Sequence, residues 1–365
     1  MEERKKRILF IVEALGGGVF TYIVDLANEL VKEFDMYIAY GIRKQTPEDY
    51  GRYFDEKIHL IKVDSFERSI NPTKDLKAFS EIKKIANDVK PNIIHLHSSK
   101  AGAIGRVAFN RYEVNGKRVP IFYTPHGYSF FMRNHNSLKR TAYKLIEKAC
   151  GKLNCTTISC SSGEHQESLK LNKRAVFVDN GINVQELEQL LDKIEAGKHP
   201  FTVFTLGRIC YQKNPKLFNE IAEAMPDIEF LWIGDGELRD ELKSGNIVIT
   251  GWVDRQTALV KAMSADVFVL TSLWEGLPIS LLEAMYMKKS CVVSNVIGNR
   301  DVIQNGINGF VCNDVDSFVS AIHKCKDRTD KDLTEKAYES ILHHFNTRTM
   351  AKEYSLIYAE NGLNF

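Results

Sequence analysis

Short apolar runs alternate with longer amphipathic stretches along the whole chain. Runs rich in β-branched residues predict strands at 8–12, 36–40, 58–63, 93–97, 121–124, 156–159 and 175–178, and a second series at 202–206, 229–233, 247–250, 267–271, 291–294 and 309–312. Between them, apolar residues recur at helical spacing in stretches such as 20–34, 76–89, 258–263 and 278–287. These strands are too apolar for one face to be exposed to solvent, and helices separate them. The pattern therefore predicts parallel α/β sheets covered on both sides.

A polar stretch divides this pattern into two halves. Residues 187–198 are rich in Glu and Lys and end at His199 and Pro200, after which the strand pattern starts again. We therefore predict an α/β protein with two Rossmann-like domains joined near residues 180–200. The last stretch, 331–365, has a helical pattern and adds no predicted strand.

The composition fits two folded domains. The 365 residues are 44% hydrophobic and 26% charged, which excludes disorder for the chain as a whole. The 49 basic and 47 acidic side chains leave a net charge of +2, which argues against a general nucleic-acid binder. The seven cysteines are odd in number and form no C-x-x-C pair, so free thiols in a reducing compartment explain them best.

The N-terminus resembles a signal peptide only superficially. A basic start is followed by the apolar residues 8–12, but that run stops at Glu13, and three glycines follow where a cleavage site is expected. No stretch approaches the ~18 apolar residues of a membrane-spanning helix. We expect a cytoplasmic protein that can rest on a membrane surface.

The most informative chemical motif follows the predicted strand at 267–271. A loop with Glu275 and Gly276 leads into a helix predicted to begin near Pro278, and Glu283 lies eight residues after Glu275. Backbone N–H groups and a positive helix end at a sheet's carboxyl edge suit an anionic or hydroxyl-rich ligand. The carboxylates can accept hydrogen bonds from sugar hydroxyls. Taken alone, an ordinary helix start with a solvated glutamate explains the segment about equally well.

Weaker elements follow other predicted strands. Arg208 and Lys213, after 202–206, can hold a diphosphate. The glycines at 16–18, after the first strand, allow a backbone to approach a phosphate, although the segment is not a complete G-x-G-x-x-G. His126, after 121–124, can reach a cleft. Each has a structural explanation of at least equal weight by itself: surface cations, a tight turn and a structural histidine.

Two patterns resemble metal sites and are better explained otherwise. Asp314 and Asp316 match the D-x-D of metal-dependent sugar transferases, but they directly precede a predicted helix, where Asp caps and charges the first turn. His95 and His97 lie on one face of a strand with no evident third ligand nearby. We predict no metal at either place, and we expect the two histidines to be structural or to line a cleft.

Together, these motifs resemble glycosyltransferase family 4 in their order and across nearly the whole chain. They are Gly17-Gly18, His126-Gly127, Asn180-Gly181-Ile182-Asn183, Gly207-Arg208 with Lys213, the residues 233–237, Gly251-Trp252-Val253 and the residues 275–285. The resemblance implies a retaining, metal-independent GT-B enzyme, whose two Rossmann-like domains have parallel sheets facing across a cleft that holds the active site. It implies an acceptor-side domain at 1–180, a nucleotide-sugar domain at 181–345, and a C-terminal helix at 346–365 packed back on the first.

The resemblance also implies roles for single residues. The catalytic set comprises His126, Arg208, Lys213 and Glu275: Arg208 and Lys213 at the donor diphosphate, Glu275 at the sugar hydroxyls, and His126 beside the sugar. The implied donor-binding set comprises Gly17, Gly18, Trp252, Val253, Gly276, Leu277, Ile279 and Glu283, with Glu283 at the ribose and Trp252 and Val253 near the base. The implied reaction is front-face substitution through an oxocarbenium-like state, without a covalent nucleophile and without a cofactor, since the nucleotide sugar is a substrate.

Three positions depart from the family's usual pattern. Asn183 stands where Asp is more frequent, residues 288–291 replace a frequent Gly-x-Pro, and residues 298–301 stand where Gly-Gly-x-x-Glu is common. All three belong to the second half, so they bear on which donor is used.

The first half resembles bacterial transferases that build capsule and other surface polysaccharides. After His126, aromatic and basic residues alternate, and such a segment can lie on anionic lipid and guide a lipid-diphosphate acceptor. An ordinary helix with a solvated basic face is an equal explanation. The residues expected at the acceptor or membrane are Lys100, Phe130, Phe131, Arg133, Lys139 and Arg140, continued on a helix by Lys144 and Lys148.

The leading hypothesis is a transferase that moves a sugar from a nucleotide sugar, with UDP the expected nucleotide, to a lipid-linked glycan in bacterial capsule or surface polysaccharide biosynthesis. The expected partners are that donor, an undecaprenyl-diphosphate-type acceptor and the inner face of the cytoplasmic membrane, with no nucleic acid. A GT-B epimerase acting on a UDP-linked amino sugar and a non-catalytic nucleotide-binding subunit stay open as alternatives. Dinucleotide binding is disfavoured because the third glycine of the fingerprint is missing.

Overall fold

The structure is a computed structural model that describes residues 5–43, 46–67, 71–192, 199–327 and 331–362. It forms two compact units. The first comprises Met1–Phe131, His135–Asn180 and Thr347–Phe365, and the second comprises Met132–Asn134 and Gly181–Asn346. Residues 193–198 of the expected polar linker lie outside the described part of the chain.

The strands of the described chain alternate with helices throughout. The strands are β1 (Arg7–Leu15), β2 (Asp35–Ile42), β3 (His59–Lys62), β4 (Ile93–His97), β5 (Glu113–Val114), β6 (Lys117–Arg118), β7 (Ile121–Thr124), β8 (Thr156–Ser159), β9 (Ala175–Phe177), β10 (Thr202–Leu206), β11 (Glu229–Ile233), β12 (Ile247–Ile249), β13 (Val267–Leu270), β14 (Ser290–Ser294) and β15 (Phe310–Cys312). The helices are α1 (Gly18–Leu30), α2 (Pro72–Val89), α3 (Ser99–Ala108), α4 (Ser137–Cys150), α5 (Ser162–Leu169), α6 (Val184–Leu191), α7 (Pro215–Glu223), α8 (Arg255–Met263), α9 (Ile279–Tyr286), α10 (Asn299–Val302), α11 (Val315–Lys326), α12 (Lys331–His343) and α13 (Thr347–Gly362).

In the first unit, a seven-stranded parallel sheet runs in the order β3-β2-β1-β4-β7-β8-β9. Alternate residues of β1 face opposite sides, so Phe10 packs in the core shared with α1 and α13, while Ile11 packs in the core shared with α2. The predicted parallel sheet with both faces covered is confirmed here. A short antiparallel hairpin, β5 with β6, stands apart from the sheet.

In the second unit, a six-stranded parallel sheet runs in the order β12-β11-β10-β13-β14-β15. Strand order therefore reverses beside β10, the first strand of the unit. Its core packs residues of β11 against α7 and α11, with Phe218, Phe230 and Trp232 as large buried side chains.

Helix starts follow from local capping. The side chains of Asn71, Asn136, Asn183 and Asp254 each accept a hydrogen bond from the backbone N–H three residues later, at the starts of α2, α4, α6 and α8. Asp314 does the same for α11 at 2.9 Å from Ser317, so the predicted cap is confirmed. Asn183 serves here as an N-cap, a role that Asp performs equally well.

The structure also shows the state of the cysteines, the grouping of possible metal ligands and the apolarity of the helices. All seven cysteines are free thiols, and six of them are buried. Within the described residues, no His, Cys, Asp and Glu side chains cluster in threes that could hold a metal ion. No helix in this part of the chain combines the length and apolarity needed to cross a bilayer.

Candidate active site

In the second unit, the predicted donor residues lie where the strand order reverses. The chain leaves β10 towards β11 on one side and later returns through β13 on the other. The loops after β10 and β13 therefore diverge and open a crevice at the carboxyl edge, where open α/β sheets bind ligands. Lys213 follows β10, and Glu275 follows β13. The structure thus brings together two residues that are 62 positions apart in the sequence.

Lys213 and Glu275 form an ion pair in this crevice. Lys213 Nζ lies 2.8 Å from Glu275 Oε1, and the Ser272 hydroxyl donates to the same oxygen at 2.6 Å. Gln212 Nε2 donates to Glu275 Oε2 at 3.2 Å. The Thr271 hydroxyl donates to the Lys213 carbonyl at 2.7 Å, which ties the two loops together. The Glu275 side chain is 8% exposed, and its carboxylate still has a lone pair for a further donor, because a carboxylate offers about four acceptor positions.

Arg208 lies on the same edge and is held by an acidic partner. Its Nε donates to Glu237 Oε2 at 2.8 Å, and the Arg208 side chain is about one-third exposed. Glu237 belongs to the 233–237 motif after β11, so this motif contacts the loop after β10. Asp235 of the motif pairs with Arg239 at 2.9 Å. The guanidinium of Arg208 therefore stands at the surface of the carboxyl edge, in reach of an anion.

Helix α9 begins directly after the Glu275 loop. Pro278 occupies its N-cap position, and no side chain caps the first turn. Backbone N–H groups of a first turn point outward from the helix end and carry its partial positive charge, which suits a diphosphate. The expected donor-binding residues Gly276, Leu277 and Ile279 lie in this turn or just before it.

Gly298 supports this loop from β14. Its backbone has a φ of 86°, and a Cβ built there would lie 2.4 Å from the Gly276 carbonyl oxygen. Asp301 accepts a hydrogen bond from the Gly298 N–H at 3.2 Å. Residues 298–301, which replace the Gly-Gly-x-x-Glu common in the family, therefore still form a turn that packs against the Glu275 loop.

Glu283, the expected ribose ligand, is buried inside α9. Arg255 Nη1 lies 2.8 Å from its Oε1, and Arg255 Nε lies 3.6 Å from Glu186 Oε1. Arg255 is a residue that no sequence motif singled out. It neutralises a carboxylate that is otherwise hard to bury, because an isolated buried charge is strongly unfavourable.

Trp252 lies in the loop after β12 with 63% of its surface exposed, and Val253 beside it is partly exposed. Gly234 and Gly251 form a bridge, and the Gly234 N–H donates to the Thr250 hydroxyl at 3.0 Å. The exposed indole is therefore carried on a fixed loop. An aromatic face in such a position can stack on a nucleobase.

In the first unit, the glycines after β1 leave open space. Gly17 has a φ of 59°, Gly18 begins α1, and a Cβ at either position would meet no atom within 4 Å. The left-handed φ explains a glycine at 17. The open space at both positions is what a closely approaching ligand would need.

His126 lies two residues after the end of β7, and its backbone is in the left-handed region with a φ of 55°. Its Nε2 lies 3.1 Å from His97 Nδ1, and its Nδ1 lies 3.5 Å from Cys160 Sγ. The Tyr22 ring meets it edge to face, with ring centroids 4.5 Å apart. Burial lowers the pKa of His126 to about 3, so the imidazole is neutral at physiological pH.

Two backbone N–H groups beside His126 are held by one carboxylate. Glu164 at the start of α5 accepts from the Gly127 N–H at 2.7 Å and from the Cys160 N–H at 2.8 Å. Glu164 is fully buried. Hydrogen bonds to an ionised acceptor are strong, so this carboxylate fixes the turn that carries His126.

Lys100 lies in an ion pair within the first unit. Its Nζ lies 2.6 Å from Asp75 Oδ1 and donates to the Glu67 carbonyl at 2.6 Å, and its side chain is 13% exposed. The ammonium is therefore already paired inside the first unit, and its expected place at the acceptor or membrane stays a prediction.

The aromatic and basic segment is only partly a surface. Phe130 is buried and stacks on Tyr128, with ring centroids 4.8 Å apart, and Phe131 is partly buried against both. The expectation that Phe130 contacts lipid is wrong, because its ring belongs to the core of the first unit. Arg133, Lys139 and Arg140 are exposed, as predicted for a basic surface.

Several site residues escaped the motifs. Gln212 and Ser272 flank known motif positions and could have been suspected for that reason. By contrast, the contacts of His97, Cys160, Glu164, Tyr22 and Arg255 depend on strand order and helix packing. His97 was noted in the sequence as one of two histidines on a strand, but no local sequence signal distinguishes the other four from ordinary core or surface positions.

The second unit thus combines a Rossmann-like fold with a paired Lys and Glu beside a helix start, and comparison with known proteins shows the family to which the chain belongs. The family described as Glycosyltransferase Family 4 matches residues 16–186, and the family described as Glycosyl transferases group 1 matches residues 200–327. An Escherichia coli enzyme, UDP-Gal:alpha-D-GlcNAc-diphosphoundecaprenol alpha-1,3-galactosyltransferase, is 33% identical over 309 residues, covering 75% of this chain and 76% of that enzyme. The chain belongs to glycosyltransferase family 4 and is a glycosyltransferase.

A second relative and two solved structures extend this result. The Campylobacter jejuni N,N'-diacetylbacillosaminyl-diphospho-undecaprenol alpha-1,3-N-acetylgalactosaminyltransferase is 25% identical over 303 residues, or 76% of this chain and 75% of that one. Sucrose-phosphate synthase from Thermosynechococcus elongatus superposes with a TM-score of 0.80 at 17% identity, covering 98% and 99% of the two chains. Anabaena HepE in complex with UDP superposes with a TM-score of 0.73 at 15% identity, covering 97% and 100%. The predicted GT-B fold class is confirmed.

Proposed function

We propose that this glycosyltransferase moves a sugar from a UDP-sugar, with retention of configuration, to an undecaprenyl-diphosphate-linked glycan in the biosynthesis of a bacterial surface polysaccharide. The partly buried Lys213–Glu275 pair at the strand-order reversal, beside the start of α9 that no side chain caps, carries this proposal. It offers a cation and helix N–H groups for a diphosphate and a carboxylate for sugar hydroxyls. Both relatives named above act on diphospho-undecaprenol-linked acceptors.

Charge stabilisation is the main contribution of the second unit. As the glycosidic bond breaks, negative charge develops on the departing diphosphate, and Arg208, Lys213 and the first turn of α9 are placed to stabilise it. An ammonium has three N–H donors, so Lys213 can serve the phosphate and Glu275 together. These cations and N–H groups do what a metal ion does elsewhere, and we therefore propose that activity persists in EDTA.

His126 has a supporting role in this proposal. A group with a pKa of about 3 is a poor proton acceptor at pH 7, so we assign it packing and hydrogen bonding beside the sugar and no proton transfer. The departing phosphate takes the acceptor's proton on the same face. The His126 ring nitrogens contact His97 and Cys160. The contact with the Cys160 thiol is the weaker hydrogen bond, so a sugar hydroxyl can replace it more readily.

The activities of the two relatives suggest which sugar the donor carries. Both of these relatives form alpha-1,3 linkages, one transferring galactose from UDP-Gal and the other transferring N-acetylgalactosamine. We propose a UDP-linked galacto-configured sugar as the donor. Because such donors carry the sugar in alpha linkage, an alpha product means retention.

A donor panel tests the proposal. Purified protein is incubated with UDP-Gal, UDP-GalNAc, UDP-Glc and UDP-GlcNAc, with and without synthetic undecaprenyl-diphosphate-linked GlcNAc or diacetylbacillosamine. We expect UDP release that depends on acceptor and an alpha linkage by NMR. UDP release without acceptor, with an epimerised sugar, would instead identify an epimerase. Tight UDP-sugar binding with no turnover on either acceptor would indicate a non-catalytic subunit.

We also propose that α4 places the first unit on an anionic membrane. Leu138, Leu145 and Ile146 are 78%, 61% and 45% exposed, and their spacing of seven and eight residues puts them on one helix face. Lys144 and Lys148 are exposed beside that face. Exposed leucines flanked by lysines are typical of a helix lying in the interface of an anionic bilayer.

Vesicle binding separates this proposal from an ordinary exposed helix. We expect sedimentation with phosphatidylglycerol-containing vesicles, weaker binding to pure phosphatidylcholine, and loss of binding in the variant Leu138→Glu with Leu145→Glu. Leu76→Glu is a matched control, since Leu76 is 68% exposed on α2. Equal loss in the control, or equal binding to both vesicle types, would argue against docking through α4.

A further inference from the structure

We infer that the C-terminal helix α13 helps to position the imidazole of His126. Tyr354 of α13 acts through Tyr22 of α1, which contacts the His126 ring together with His97. This inference rests on the proposed function in one respect: it takes His126 as part of the active site. Tyr22, His97 and Tyr354 are positioning residues, since they act on His126 and need not touch substrate.

The direct contacts come from two elements. Tyr22 of α1 is 1% exposed, and its ring meets the His126 ring at a 74° angle between the planes. His97 at the end of β4 is fully buried and lies nearly parallel to His126, with 22° between the rings. The imidazole is thus held by an edge contact on one side and a hydrogen bond at Nε2.

The hydrogen bonds also constrain the proton positions. A neutral imidazole has one donor and one acceptor nitrogen. Both nitrogens of His126 have neighbours, His97 Nδ1 and Cys160 Sγ, so the proton position on His97 determines the tautomer of His126. Burial lowers the pKa of His97 well below its ordinary value, which keeps both rings neutral and this coupling intact. His97 Nε2 has no hydrogen-bond partner among the described residues, so His126 is the neighbour to which the ring responds.

Tyr22 is in turn fixed by the last helix. The hydroxyls of Tyr22 and Tyr354 lie 2.5 Å apart, and both side chains are buried. The Tyr354 hydroxyl also lies 3.4 Å from the Thr124 hydroxyl, two residues before His126. Without this anchor the Tyr22 ring would keep its apolar packing but lose the one polar bond that sets its tilt.

A second hydrogen bond from α13 supports the β4 side. Tyr358 OH lies 2.6 Å from His95 Nδ1, and His95 Nε2 lies 2.9 Å from the Thr124 hydroxyl. The His95 and His97 rings are 4.1 Å apart. Two tyrosines one helical turn apart on α13 therefore reach the two strands, β4 and β7, whose ends carry His97 and the turn of His126.

Hydrogen bonds between buried groups favour one arrangement, because breaking one leaves buried polar atoms without partners and because linked hydrogen bonds strengthen one another. The tertiary arrangement thus explains why five aromatic and imidazole side chains with polar atoms occupy core positions where apolar residues would pack equally well: Tyr22, His95, His97, Tyr354 and Tyr358. Their common neighbour is the His126 turn.

The first test removes one hydroxyl. Tyr354→Phe keeps the ring and deletes the bond to Tyr22, and we expect kcat to fall about 3- to 10-fold with an unchanged KM for the UDP-sugar. Tyr123→Phe is the matched control, because Tyr123 is equally buried in the same unit and its hydroxyl bonds Glu147 at 3.0 Å, on the other face of the sheet. Both variants should lose a similar amount of thermal stability. If kcat of Tyr354→Phe equals that of Tyr123→Phe, the tyrosines are structural only.

The second test concerns His97. An Asn side chain can place an amide nitrogen or oxygen near the position of the histidine Nδ1, and Leu cannot. We expect His97→Leu to lose about 10-fold or more in kcat and His97→Asn to recover much of it, with imidazole NMR showing a changed tautomer of His126 in the Leu variant only. Equal kcat and an unchanged His126 spectrum in both variants would overturn the assignment.

His126→Ala in the same assay separates this inference from the proposed function. Full activity of His126→Ala would show that His126 is outside the active site, and the proposed catalytic set would be wrong. Loss of activity in His126→Ala with wild-type kcat in Tyr354→Phe and His97→Leu would leave the function standing and refute the positioning network.

Discussion

At the scale of single residues, Glu275 is a buried carboxylate fixed by its neighbours. Lys213, Ser272 and Gln212 hold it with three hydrogen bonds, and it is nearly excluded from solvent. An ionised group in such a place is stable only because its partners are in position before a ligand arrives. This preorganisation is what allows a carboxylate to select hydroxyls of a sugar, since their absence would leave it under-satisfied.

Replacing Glu275 by Gln tests this at the residue scale. The amide is nearly isosteric but neutral, and one of its ends donates hydrogen bonds, so it cannot accept from Lys213, Ser272 and a sugar hydroxyl together. We expect kcat/KM for the donor to fall about 10²–10³-fold. Steady-state kinetics measures kcat/KM of the wild type and of the Glu275→Gln variant. Glu335→Gln is the control, because Glu335 of α12 makes an exposed ion pair with Lys288, and this change should alter the rate by less than about twofold.

Glycine conformations provide a second residue-scale test. Gly298 and Gly306 both have left-handed φ values, of 86° and 73°. A Cβ at Gly298 would press on the Gly276 carbonyl, whereas one at Gly306 would meet no atom within 4 Å. We expect Gly306→Ala to lose about 1 kcal/mol of stability from backbone strain alone.

Gly298→Ala should lose more, about 2–3 kcal/mol, and should also weaken UDP binding because the Glu275 loop must shift. Urea unfolding followed by tryptophan fluorescence suits both variants, since Trp232, Trp252 and Trp274 all lie in the second unit. Equal losses of stability and equal UDP affinities would show that the contact with Gly276 is unimportant.

At the scale of elements, α4 has an unusual attachment. Its buried residues are Glu147 and Cys150, and the Glu147 carboxylate lies 2.7 Å from Arg106 of α3 and accepts from Tyr123 of β7. The Arg106 guanidinium also lies 4.2 Å from the Tyr123 ring centroid. A buried ion pair therefore anchors the helix, and its leucines remain outside the core.

Breaking this anchor is expected to be costly. Glu147→Leu leaves the Arg106 charge buried without its carboxylate, and we expect a loss of about 3–5 kcal/mol from the stability of the first unit. Adding Arg106→Met should recover a large part, because the unpaired charge is then gone. Hydrogen exchange of first-unit peptides measures the stability of the single and the double variant. A double variant no more stable than the single one would show that packing rather than charge dominates.

Element prediction succeeded and failed for recognisable reasons. The strands at 93–97, 121–124 and 202–206 are found at those residues, because buried parallel strands have an unmistakable apolar pattern. The hairpin β5–β6 was not predicted, although Asn115 and Gly116 with φ values of 52° and 73° form its turn. Its strands have two residues each and bury nothing in the sheet, so they lack a hydrophobic signal.

At the scale of the whole molecule, the chain returns to its first unit through α13. Met350, Ala351, Tyr354 and Tyr358 are buried in the core that also contains β1 and α1. The last helix is thus part of a unit whose other residues end at Asn180. This return brings Tyr358 to His95, 263 positions away, and makes the first unit dependent on both ends of the sequence.

The buried histidines make stability depend on pH. Burial lowers the pKa of His95, His97 and His126, whereas an unfolded histidine titrates near pH 6.5. Below that pH the unfolded chain binds protons that the folded unit does not, so the unfolding free energy falls as pH decreases, by up to about 1.4 kcal/mol per pH unit for each histidine. Above pH 6.5 these groups add no pH dependence.

We therefore expect the stability of the first unit to fall by up to about 4 kcal/mol per pH unit between roughly pH 6 and 4. Hydrogen exchange of first-unit peptides in that range gives the slope. His97→Asn removes one of the three titrating groups and should reduce this contribution by about a third. An identical slope in His97→Asn would contradict the assignment of the pH dependence to these histidines.

What the sequence by itself determined is local in origin. The alternation of apolar runs and amphipathic stretches follows from the periods of strands and helices, and it sufficed for the parallel α/β class. The order of the motifs sufficed for the family, and Lys213 and Glu275 were identified because each sits in a short segment of recognisable residue types. These properties need only neighbours in the chain.

Only the tertiary structure decided which polar groups meet. It buried Phe130, paired Lys100 with Asp75 and Glu283 with Arg255, and placed two tyrosines of the last helix beside buried histidines. Such contacts depend on strand order and on which helix covers which sheet face, and many sequences with the same local pattern would leave them unformed. For that reason the class of reaction could be inferred from the sequence, whereas the support of His126 could not.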